Sequence, residues 1–159
     1  MWTESAEGRK LIRELSKEIV IEIAPEEMDL FDELVEEYFE DPSPPKPSSP
    51  QRDDPLGFGI EESLVAATPA AAAVVSVVIN YLLSEFLKVA ESERTEQVKR
   101  RIKDLFGSKK REKVAADPLT KEQLEEIRKL ARKQAIVSGM KPEKADQMAN
   151  ALIGSLVLD

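Results

Sequence analysis

The side chains in this sequence that can do chemistry are carboxylates, and they come in adjacent pairs: Glu26-Glu27, Glu36-Glu37 and Asp53-Asp54. Paired acids can act as general acid and base, or hold a divalent cation through their oxygens. Either use needs a further spacing: a glycine-framed acidic loop for calcium, or a Glu-x-x-His pair on a helix. Neither spacing occurs, and the chain has no histidine and no cysteine. Thiol catalysis, Cys/His zinc sites and every imidazole dyad or triad are therefore excluded, as is any disulfide framework. Ser16-Lys17 and Ser108-Lys109 place a hydroxyl beside an amine, but adjacent residues on a helix do not face each other. The acidic pairs read as solvated helix faces. The expectation is a non-enzymatic protein with no catalytic residue, no cofactor and no metal site.

Three other groups of residues can make contacts. Phe31, Leu34, Val35, Tyr38 and Phe39 form an i, i+3, i+4, i+7, i+8 stripe that holds three of the eight aromatic side chains. Such a stripe packs into a core, or docks another protein through Phe31, Leu34, Tyr38 and Phe39. Thr68, Ala72, Ser76, Asn80 and Ser84 recur every four residues, making a ridge of small side chains that lets a second backbone come close. Ala72, Ser76, Asn80 and Ser84 are thus candidates for helix–helix packing, within the fold or between copies. If that helix is buried, the Asn80 amide needs partners, and Asn80→Leu is expected to lower stability. Lys99, Arg100, Arg101 and Lys103 form a basic cluster that can touch an anionic surface or the acidic half of the chain itself.

The charge is divided along the chain. Residues 1–54 carry 16 acidic and 6 basic side chains, residues 84–113 carry 10 basic and 6 acidic, and the whole has a net charge of −8. Phosphate repulsion by the acidic half argues against nucleic-acid binding by the whole chain. The amino terminus is charged and lacks the apolar core of a secretory signal, so a cytoplasmic, prokaryotic setting is expected.

These residues must be positioned by helices. Leu11, Ile12, Leu15, Ile19 and Ile23 share one face of a predicted helix over 5–23, although its IVIEI ending also has strand propensity. Pro25 suits the first turn of a second helix running to residue 40, with Glu26 and Glu27 at its positive dipole end. Together these make an acidic amino-terminal pair, residues 1–41. A Pro/Ser-rich linker follows at 42–55, which would reach about 40 Å if extended. LGFG at 56–59 reads as an apolar turn anchored by Phe58. It lacks the lysine and hydroxyl of a phosphate loop.

A long central element, residues 56–107, passes from apolar to basic. It contains Ser63 to Ser84, an uncharged run of 22 residues. The expected start of its helix is Pro69, capped by Thr68, with a bend or break between Glu91 and Gln97 and a stop at Gly107. A helix starting at Pro69 gives about 22 Å before Glu85, short of the roughly 30 Å of bilayer hydrocarbon. A buried central helix is therefore preferred, and membrane association or insertion of the helix at 64–90 is kept as the alternative. After a charged linker at 108–118, residues 119–159 predict an αα-hairpin. Thr120 and Gln123 form a capping box, Leu119 and Leu124 a hydrophobic staple, Gly139 the stop and Pro142 the next start.

The segments LFDELVEEYFEDP, DPLGFG before the Thr-Pro-initiated apolar helix, and the terminal LTKEQLEEIRKLARKQAIVSGMKPEKADQMANALIGSLVLD resemble small bacterial all-helical proteins with the same order of parts. The resemblance covers most of residues 25–159. It implies a bacterial source and a place in multi-gene conflict or signalling systems, and it carries over no activity and no ligand residues. The sequence as a whole predicts an all-α protein that contacts another protein or itself, with a membrane role as the alternative and nucleic acid disfavoured.

Overall fold

In a computed structural model, residues 2–41, 66–89, 95–106 and 119–155 are described. These residues form an all-α fold with no strand among them. Six α-helices occur: α1 (Ala6–Ile23), α2 (Phe31–Glu40), α3 (Ala67–Val89), α4 (Thr95–Phe106), α5 (Lys121–Val137) and α6 (Pro142–Ser155). Two short 3-10 segments, Trp2–Glu4 and Pro25–Leu30, precede α1 and α2. The linker at 42–55, the LGFG turn, the segment 107–118 and the ALIGSL ending beyond Ser155 lie outside the described residues.

The bundle is assembled around α3. Helices α1, α2, α4 and α5 and the Trp2–Glu4 turn all pack against it, while α6 packs on α5 and α1. Between Ala67 and Leu87 every side chain is buried or half-buried except Ser84, so the apolar helix has neighbours on nearly every side. Val74, Val75, Val78, Ile79 and Leu82 are fully enclosed, meeting Ile12, Leu15 and Ile19 of α1 and Ile127, Ala131 and Ala135 of α5 in one core. Burying a valine, leucine or isoleucine side chain contributes about 1.5–3 kcal/mol. That burial, and not intrinsic propensity, holds a valine-rich helix together.

The local signals explain the ends of most helices. Ser5 caps α1, its Oγ accepting from the Gly8 N–H at 3.1 Å. The IVIEI ending stays helical through Ile23 because Ile19 and Val20 enter the core. The last carbonyls of α1 meet a cation, since Lys144 Nζ donates to the Ile23 carbonyl at 3.0 Å and ties α6 to α1. Thr120 and Gln123 make the reciprocal capping box at α5. Its other end is a Schellman motif: the Gly139 N–H donates to the Ile136 carbonyl and the Met140 N–H to the Ala135 carbonyl, each at 2.9 Å. Gly139 has φ 104°, the left-handed conformation that glycine adopts without a Cβ penalty.

Two expectations need correction. The segment after Pro25 opens as a 3-10 turn, and α2 begins only at Phe31. The central helix starts at Ala67 and not at Pro69, so Thr68 lies inside its first turn and is not its cap. The central element is interrupted in the region where the sequence predicts a bend or break: α3 ends at Val89, and α4 is a second helix from Thr95 that packs against it through the buried Val98 and Ile102.

Candidate functional site

The start of α3 is built by a residue from another part of the chain. Glu27, in the 3-10 turn before α2, places its carboxylate over the exposed amides of the helix. Its Oε2 accepts from the Ala67 N–H at 2.7 Å, and its Oε1 accepts from the Thr68 N–H and the Thr68 hydroxyl, both at 2.8 Å. The first amides of a helix have no partner within it, and the macrodipole makes that end positive. A carboxylate accepting three hydrogen bonds there satisfies both demands. Ala67 is 3% exposed and Thr68 is fully buried, so without Glu27 these donors would be enclosed with nothing to bond. By its position in the sequence, Glu27 is expected to serve the dipole of its own helix. It serves a different one, and no local pattern announces a contact spanning 40 residues.

The aromatic stripe of α2 faces inward. Phe31 is 2% exposed and Leu34, Tyr38 and Phe39 are half-buried. Tyr38 donates its hydroxyl to Ser76 Oγ at 3.2 Å, and its ring meets Phe39 edge to face with centroids 5.8 Å apart. The guanidinium groups of Arg9 and Arg13 lie 5.2 and 5.9 Å from the Phe39 centroid, within cation–π range. Arg13 also pairs with Asp32 at 3.3 Å and with Glu36, so α1 holds the acidic face of α2.

The small-residue ridge of α3 passes from core to surface. Thr68 and Ala72 are fully buried and Ser76 nearly so, Asn80 is half-buried, and Ser84 is exposed. This is the drift expected of an i, i+4 row on a straight helix. The Ser76 hydroxyl donates to the Ala72 carbonyl at 2.9 Å while accepting from Tyr38. Asn80 does not find the partners expected of it: its Oδ1 is shut off from solvent with no hydrogen bond. Further along, burial raises the Tyr81 phenol above its ordinary value, and the carboxylates of Glu85 and Glu126 add to the effect.

Between the Trp2–Glu4 turn, α1, α2, α3 and α5 lies a half-open cleft of about 250 Å³. Arg9, Tyr38, Phe39, Ser76, Asn80 and Gln134 line it. Of its hydroxyls, Tyr38 donates to Ser76 and Ser76 donates to the Ala72 carbonyl. No group of three metal-ligating side chains converges among the described residues.

In the basic cluster, Lys103 pairs with Glu7 at the start of α1, and Lys99 lies 3.4 Å from Glu96 on its own helix. The basic stretch thus meets the acidic half of its own chain. Arg100 is exposed, and the side chain of Arg101 lies outside the described residues.

Among the described residues, large apolar side chains stand outside the core at Ile21 on α1, Leu30 before α2, and Ile136 and Val137 at the end of α5, each 40–52% exposed. They sit off the periodic apolar stripes of their segments. Their signal is that very break in pattern. Comparison with known protein families, with curated proteins and with solved structures finds no match for the chain.

Proposed function

We propose that this chain is a non-enzymatic helical interaction protein, an adaptor or assembly component that binds another protein or further copies of itself. The observation that supports this reading is the exposure of Ile21, Leu30, Ile136 and Val137, the exposed large apolar side chains among the described residues. Burying such side chains at an interface supplies the main favourable term in association. The aromatic residues of α2 support the same fold from within, and Leu34, Tyr38 and Phe39 are half-buried. Photo-crosslinking amino acids placed at Leu30, Ile136 or Val137 in the producing cell are expected to give a discrete, saturable adduct. The same group at the exposed polar positions Lys129 and Lys133 is expected to give none. Equal labelling at all five positions would count against the reading.

A second reading, a membrane-associating effector, is favoured by α3 itself. The stretch Ala67–Leu87 has a mean hydropathy of 1.8, and 56% of it is buried inside the bundle. From Ala67 to Ser84 it runs uncharged for about 25 Å, against roughly 30 Å of bilayer hydrocarbon. The start at Ala67 adds two residues, about 3 Å, to the length that a start at Pro69 gives. In this reading the neighbouring helices sheath α3 in water, and flotation of the full chain with vesicles tests it.

A further inference from the structure

Helix α3 is the element with the most to gain from a change of surroundings. It is apolar enough for lipid, it carries an enclosed Asn80 Oδ1 with no partner, and its first amides donate to Glu27, a side chain of the amino-terminal pair. Of the other described polar ties, Tyr38 to Ser76 reaches α3 as a contact between neutral hydroxyls and Lys144 to the Ile23 carbonyl joins α6 to α1, while Lys103–Glu7 and Arg132–Asp146 are exposed pairs that do not touch α3. Exposed pairs of that kind contribute little. The Glu27 contact differs in kind, since it is charge-assisted and its amide donors belong to buried residues.

We propose that Glu27 is the latch that keeps the bilayer-compatible helix α3 inside the bundle, and that opening it hands α3 to a lipid membrane. This rests on the second reading above. Three features carry it. The carboxylate reaches α3 from a segment 40 residues away, so the contact exists only while the amino-terminal pair is docked. Its loss leaves the Ala67 and Thr68 amides unsatisfied at the end of α3 that would move. The helix it closes matches a bilayer in length. A helix terminus released into the lipid interface regains hydrogen bonds from water and headgroups, while the apolar body of α3 exchanges one apolar environment for another.

The test uses the full chain with vesicles of phosphatidylcholine and phosphatidylglycerol at 3:1, read by flotation. Glu27→Gln replaces an acceptor oxygen with a donor, and Thr68→Val removes only the hydroxyl donor. Thr120→Ala, which weakens a cap on α5, controls for general loss of stability. Removing a hydrogen bond to a charged group shifts an equilibrium by roughly tenfold or more. Glu27→Gln is therefore expected to raise the vesicle-bound fraction about tenfold over the unaltered chain, Thr68→Val by less, and Thr120→Ala not at all. Equal flotation of Glu27→Gln and Thr120→Ala overturns the latch while leaving the membrane reading in place. No flotation of any variant, even after unfolding and refolding with vesicles present, overturns the membrane reading itself. If Glu27→Gln aggregates without lipid, Thr68→Val decides: an unchanged bound fraction overturns the latch.

Discussion

Tyr81 and Asn80 sit side by side on α3 and report on its surroundings in different ways. The Tyr81 phenol is raised by burial and by the carboxylates of Glu85 and Glu126. A group whose folded value lies above its unfolded one contributes stability that is complete below the unfolded value. That contribution is lost as pH rises through the folded value. Stability should therefore fall in the alkaline range above the ordinary tyrosine value, and Tyr81→Phe should flatten that part of the profile. The chain has two tyrosines, so a Tyr38→Phe variant leaves Tyr81 as the single phenol to follow by ultraviolet absorbance. Ionisation at the ordinary value in the folded protein would mean that Tyr81 does not face those carboxylates. At Asn80 the expectation has reversed. With its Oδ1 enclosed and unpaired, Asn80→Leu removes a desolvation cost of about 1–3 kcal/mol and should raise the melting temperature. A lower melting temperature would reveal a hydrogen bond that Oδ1 makes in solution.

Among the elements, those bounded by short-range chemistry were legible in the sequence and those bounded across the fold were not. The capping box of α5 and the glycine stop before α6 each depend on residues within five positions, and both are present. The start of α3 depends on Glu27, which no pattern around Thr68 and Pro69 can reveal, and the helix begins two residues earlier than its own residues suggest. The contact residues follow the same division. The stripe of α2 and the ridge of α3 could be picked out by period, but whether Tyr38 would meet a partner or Ser76 of its own chain was a question of tertiary packing. The hairpin offers the sharpest check at this scale. Thr120→Ala should cost about 1 kcal/mol. Gly139→Val should cost more, since a β-branched side chain at φ 104° strains the backbone. Chemical denaturation measures both, and an unchanged midpoint for Gly139→Val would show that the turn does not hold that conformation in solution.

At the scale of the whole molecule, one apolar helix is surrounded by amphipathic ones. The charges fit this arrangement: acidic α2 and charge-balanced α1 both pack on α3, Arg13 of α1 pairs with Asp32 and Glu36 of α2, and basic α4 meets α1 through Lys103 and Glu7. Both the interaction reading and the latch require α3 to be the best-protected part of the protein in water. Hydrogen–deuterium exchange, resolved by segment and performed without detergent or lipid, tests that requirement directly. The amides from Ala71 to Leu82 are expected to exchange more slowly than any others in the chain, at the rate set by global unfolding. Fast exchange across that stretch in water, with protection appearing only when vesicles are added, would contradict the sheathed core on which the account stands.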